Sequence, residues 1–178
     1  MLNIFRNSLA ALFLLWLTVV FAADTGWLKN SDDNHTEVRL RADNSFADVT
    51  RILLNIRLQN GWKTYWRTPG EGGITSTISW QDNSINAQWF WPTPQRFDIS
   101  VITTQDYHKG LTLPIQLNDK VSTPLLGTLT LSTCSTVCII LTNYPFTLDL
   151  QQLTNRAFGY DYAAAMAKFR KKTHYRQN

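Results

Sequence analysis

Residues 49–59 read VTRILLNIRLQ, with Ile52, Leu54, Ile56 and Leu58 on one parity while Arg51, Asn55 and Arg57 fall on the other. A period of two sorts side chains onto opposite faces of an extended chain, so the run predicts a half-buried strand. Residues 37–42, EVRLRA, repeat the alternation. Shorter runs at 77–80, 87–91, 111–117, 125–131 and 146–150 predict further strands, the second of these ended by Pro92 and Pro94. Asn60-Gly61 marks a turn, and an aromatic then glycine-rich stretch, WKTYWRTPGEGGI, follows it. About seven short strands with turn signals between them predict an all-β sandwich.

Two segments break this pattern. Residues 160–172, YDYAAAMAKFRKK, combine strong helix formers with basic residues toward the C-terminal end and predict a short, frayed helix or a linker. At the other end Arg6 precedes an apolar run, and Val20-Phe21-Ala22 offers small residues at a cleavage position. The run is short for a bilayer crossing, so residues 1–22 are expected to be a secretory signal peptide. The expected organisation is therefore a signal peptide (1–22), a sandwich domain (23–155) and a basic helical tail (156–178).

Composition agrees with a folded chain: among 178 residues, 44% are hydrophobic and 17% charged. The net charge of +4 is misleading about partners. Of 17 basic residues, Lys168, Arg170, Lys171, Lys172 and Arg176 lie in the tail and Arg6 in the leader, which leaves eleven against 13 acidic ones. The body is slightly acidic, and no nucleic-acid partner is expected.

The chain has two cysteines, both in LSTCSTVCIIL. In an extended strand Cys134 and Cys138 would lie about 13 Å apart at roughly 3.3 Å per residue, beyond disulfide reach. They can pair only if Ser135-Thr136-Val137 turns back, as a three-residue hairpin loop or one helical turn. Such a ring stabilises by only roughly 2 kcal/mol in the chain-entropy treatment, which is little for a structural staple. Spacing leaves a redox-active pair and a local structural bridge equally open. Two thiolates without nearby histidines make a poor zinc site, although soft Cu(I) accepts them.

The segment GLTLPIQLNDKVSTPLLGTLTLSTCSTVCIILTNYPFTLDL resembles the end of the N-terminal periplasmic domain of the DsbD family of thiol:disulfide interchange proteins. NGWKTYWRTPGEGGI, TISW, WPTPQRF and TTQDYHKG bring it nearer to the ScsB branch, named for suppression of copper sensitivity. The resemblance covers roughly 37–150 and implies a periplasmic immunoglobulin-like sandwich that needs no cofactor. It also implies that Cys134 and Cys138 are the redox pair, with Cys138 forming the mixed disulfide and Cys134 resolving it. Thioredoxin-like periplasmic clients and a membrane-embedded or thioredoxin-like electron donor are the implied partners. The family holds more residues between its cysteines than the STV found here.

The family also carries an aromatic cap before the LTLP strand, for which Phe97 and Tyr107 are the candidates. Tyr65 and Trp66, with Trp62, are candidates for a wall beside the sulfurs, or for core packing. His108 would lower a thiol pKa if it lay close. A non-catalytic binding module, gripping a glycan with exposed tryptophans, and a Cu(I)-handling protein are the competing readings. No thioredoxin-like CxxC domain follows in this sequence, and the tail from Lys168 onward does not resemble the family, so a truncated product, a separate fragment and a stand-alone acceptor domain are all open readings.

Overall fold

The structure, a computed structural model, describes residues 23–70, 73–99, 102–121, 124–151 and 156–170. The expected signal peptide lies outside these residues. The alternation at 37–42 and 49–59 produces two long neighbouring strands. In chain order the strands are β1 (Ala23–Asp24), β2 (Leu28–Asn30), β3 (Asp33–Asp43), β4 (Thr50–Leu58), β5 (Lys63–Gly70), β6 (Thr77–Trp80) and β7 (Ala87–Trp89). They continue with β8 (Gln95–Ile99), β9 (Ile102–His108), β10 (Gly110–Leu117), β11 (Leu125–Cys134) and β12 (Cys138–Leu148), and a helix, α1 (Arg156–Arg170), follows.

The strands form two antiparallel sheets. One runs β1-β3-β4-β10-β7, with β2 added beside β3; the other runs β12-β11-β5-β9-β8, with β6 added beside β11. This is the all-β, immunoglobulin-like sandwich expected from the sequence. Its core is built by the alternating positions: Leu40, Ile52, Leu54 and Ile115 of the first sheet join Leu129, Leu131 and Tyr144 of the second in one buried cluster. Each such side chain stabilises the fold by roughly 1.5–3 kcal/mol relative to exposure.

Several strands go beyond the sequence pattern. β5 occupies the aromatic stretch after the Asn60-Gly61 turn, where Gly61 takes a φ of +84°. β8 and β9 form a hairpin, pairing Phe97 with Thr104, across the segment expected to be a cap loop. β12 begins at Cys138 rather than near Phe146 and pairs with β11 along almost its whole length.

The helix is no frayed linker. Phe158, Tyr162 and Ala165, spaced along one helical face, pack on Leu53 in a small second cluster. Leu53 has the opposite parity from Ile52 and Leu54, so it points away from the sandwich interior and is covered by the helix. An Arg41–Asp161 ion pair of 2.8 Å pins the helix to β3.

Candidate redox site around the cysteine pair

β11 and β12 are joined through Ser135-Thr136-Val137, and their end residues Cys134 and Cys138 are cross-strand partners. The Cα atoms are 4.1 Å apart and the sulfurs form a disulfide. Of the two turns that spacing allows, the three-residue hairpin loop is the one present, and a Ser135 N–H donates to the Val137 carbonyl at 2.9 Å across it. The two half-cystines differ in access. Cys134 is 3% exposed, whereas Cys138 is exposed at the hairpin tip.

β5 lies against β11 here, with Lys63 opposite Cys134 and Thr64 opposite Thr133. Period two then decides which β5 side chains meet the sulfurs. Tyr65 shares a face with Lys63, and its hydroxyl donates to Cys134 Sγ at 2.8 Å. Burial, reinforced by the Asp106 carboxylate, pushes the Tyr65 phenol above its ordinary range, so it remains an O–H donor at neutral pH. Gly73 lies on the Tyr65 ring, where a Cβ would come within 2.5 Å of the ring edge. The glycine-rich stretch thus lets the chain close over Tyr65.

Behind Tyr65 sits a buried polar network. Lys63 Nζ donates to Asp106 Oδ2 at 2.8 Å and to Thr104 Oγ1 at 3.0 Å, and Thr104 in turn donates to Asp106 Oδ2 at 2.9 Å. Asp106 is 0% exposed. Lys63 Nζ also lies 5.6 Å from the Tyr65 ring centroid and 5.2 Å from that of Phe97. His108 Nε2 is 2.9 Å from Asp106 Oδ1, an ion-pair distance, but is not aligned as a hydrogen bond.

The expected aromatic residues separate into two groups. Tyr65 touches the buried sulfur. Phe97, 43% exposed on β8, belongs to the outer face of the same sheet and rests on Lys63 and His108, whose ring centroid is 5.5 Å away. Trp66 and Tyr107 have the other parity and turn inward. Trp66 is half-buried against the core, while Tyr107 lies within it and donates to the Pro92 carbonyl at 2.6 Å. Trp62 is buried beneath His35, with the two rings stacked at 4.0 Å. Of the six described tryptophans Trp62 is buried and the other five are half-buried.

Sequence reasoning missed Lys63, Thr104 and Asp106. The available signal was the period-two set Thr104, Asp106 and His108, polar on one parity of a strand that its sequence did not announce. Among the described residues, no group of three or more His, Cys, Asp or Glu is placed to hold a metal ion.

Residues 35–149 match the family described as thiol:disulfide interchange protein DsbD, N-terminal. The chain belongs to this family. The crystal structure of the N-terminal periplasmic domain of ScsB from Proteus mirabilis is similar, with 47% sequence identity and a TM-score of 0.78 over 83% of this chain. The match spans 60% of that ScsB chain. The reduced N-terminal domain of DsbD from Neisseria meningitidis aligns over 67% of this chain and 89% of its own, at 12% identity and a TM-score of 0.49. No curated protein matches the chain. Within the DsbD N-terminal family this member closes its cysteine pair with three intervening residues, Ser135, Thr136 and Val137.

Proposed function

We propose that this domain passes reducing equivalents to periplasmic client proteins through Cys134 and Cys138, with Cys138 as the sulfur that meets partners. One observation carries the reading: the hairpin leaves Cys138 exposed and buries Cys134 beneath the Tyr65 hydroxyl. In the reduced state the Cys138 thiolate attacks a client disulfide, forming a mixed disulfide and releasing the client's second sulfur as a thiolate, which takes up a proton. The Cys134 thiolate then attacks Cys138 Sγ. The client leaves as a dithiol and the domain keeps the disulfide, so two electrons have moved.

Regeneration runs through the same atoms in reverse. A donor thiolate attacks Cys138, Cys134 departs as the thiolate with Tyr65 donating to it, and the donor's second thiol releases the reduced domain. A thioredoxin-like or membrane-embedded donor fills this role in our reading. In this reading residues 1–22 serve as the signal peptide that delivers the domain to the periplasm, and copper tolerance is the setting we assign to its clients.

The test is a redox titration of the Cys134–Cys138 couple against glutathione, combined with single variants. An exchange-competent pair equilibrates at a potential above about −300 mV. Cys134→Ser should accumulate a mixed disulfide on Cys138, and Cys138→Ser should form none. A couple far below that potential, or a Cys138→Ser variant that still reduces clients, would overturn the assignment.

A further inference from the structure

From Leu125 to Leu148 the β11–β12 hairpin contains no Asp, Glu, Lys or Arg. Near its tip the pairing is irregular: between the pairs Leu131–Thr142 and Thr133–Ile139, Ser132 faces both Ile140 and Leu141. This is a β-bulge. Leu141 takes a φ of 58°, the left-handed region that branched aliphatic residues rarely enter, and its N–H donates to Ser132 Oγ at 3.1 Å. In a regular strand one of two successive side chains would point inward. Here both are turned to solvent, Ile140 at 61% and Leu141 at 53% exposure, beside Val137 at 63%.

β12 is also an edge of its sheet. Exposed edges are ordinarily protected by charge, and an exposed apolar group beside one marks a place where another surface binds. We propose that Val137, Ile140 and Leu141 are the docking surface for the protein that exchanges disulfides with Cys138, and that this partner is a thiol–disulfide exchange protein whose own reactive cysteine sits in an uncharged, shallow rim. The proposal rests on the redox reading above.

Bond length forces the contact. A mixed disulfide holds the partner's sulfur about 2.05 Å from Cys138 Sγ, so the partner must cover the residues next to Cys138 in the hairpin. Those residues are apolar or uncharged, as the buried centres of protein interfaces tend to be. A partner with a charged rim would lose hydration there and find no opposite charge in the hairpin. The strained bulge turns Ile140 and Leu141 toward the side from which that partner must approach.

The test compares two reductants of the Cys134–Cys138 disulfide in the full chain: reduced thioredoxin, which must dock, and dithiothreitol, which need not. Val137→Ser, Ile140→Ser and Leu141→Asn are combined, asparagine being chosen because it tolerates the left-handed conformation. Val137→Asp, in the loop outside both strands, provides a second variant that leaves the bulge intact. The expected result is a 10- to 100-fold lower second-order rate with thioredoxin for the triple variant, a lower rate for Val137→Asp, and dithiothreitol rates within twofold of the unaltered protein.

Unchanged thioredoxin rates in both variants would overturn the docking surface while leaving the exchange reading intact. Thioredoxin and dithiothreitol rates that fall together would also overturn it, because the variants would then have altered the disulfide itself. A concentration-dependent dimer in sedimentation, abolished by the triple variant, would assign the surface to a second copy of the chain instead. If neither reductant opened the disulfide in the unaltered protein, the exchange reading would fail first and the docking surface with it.

Discussion

Tyr65 makes the one side-chain hydrogen bond described to a cysteine sulfur, and its position explains why the two sulfurs differ in role. When a reductant attacks Cys138, negative charge develops on Cys134, a buried atom that needs a donor. Tyr65→Phe should therefore slow reduction by dithiothreitol about tenfold or more, since a hydrogen bond to a charged group contributes about 1.5–3 kcal/mol. Stopped-flow fluorescence would measure this, and an unchanged rate would remove Tyr65 from the mechanism. Lys63 and Asp106 pose a stability question. Lys63→Met strands a carboxylate that is 0% exposed and should cost about 3–5 kcal/mol, much of it recovered in the Lys63→Met, Asp106→Leu double variant. Urea denaturation of the four proteins closes that cycle. The cysteine pair was legible from local sequence and Tyr65 only as one of several aromatics offered for a wall or for core packing, but this ion pair was not. Its partners are 43 residues apart, and only the β5–β9 register brings them together. The same register turns Tyr107 into the core, since a shift of one residue exchanges the faces of a strand.

Elements with clean alternation were readable in advance, as β3, β4, β10 and most of β11 show. Those without it were not. β5 carries Pro69 and Gly70 at its end and holds a buried lysine among its aromatics, while β8 is a polar strand at the sheet edge and β9 a polar strand beside it. The helix was visible from composition, but its docking was hidden in the second parity of β4, where Leu53 serves α1 and not the sandwich core. Phe158→Ala should cost about 3–5 kcal/mol by emptying that contact. Because α1 covers the first sheet and the cysteines end the second, the same variant should leave the dithiothreitol rate unchanged. Thermal unfolding and the reduction assay together check both halves, and a slowed reduction would reveal a coupling between sheets that the contacts do not provide. The short ring makes a further statement at this scale: reducing Cys134–Cys138 should lower stability by only roughly 2 kcal/mol and leave the strands folded by circular dichroism.

At the scale of the molecule, four phenols are buried in different parts of the fold: Tyr65, Tyr107 and Tyr144 in the sandwich and Tyr162 on the buried face of the helix, each 7% exposed or less. Burial pushes all four above the ordinary tyrosine value of 10, with Asp106 adding to the effect at Tyr65 and Asp33 at Tyr144, while Arg51 partly opposes it at Tyr162 and Arg67 at Tyr107. The sign of the consequence follows from which state holds the proton. Below pH 10 both folded and unfolded chains keep these phenols neutral, and stability is fully present. Above pH 10 the unfolded chain releases its protons while the folded one retains them, so stability falls as pH rises toward the folded values. Because two of the four, Tyr107 and Tyr144, belong to the main core, ionisation and unfolding should be a single event. Phenolate absorbance followed between pH 8 and 12 should show a cooperative step that coincides with loss of the strand signal in circular dichroism. A gradual titration of every tyrosine near pH 10 with the strand signal intact would mean that the sandwich admits water to these rings, and that the Tyr65 hydroxyl is not shielded in the way its donation to Cys134 requires.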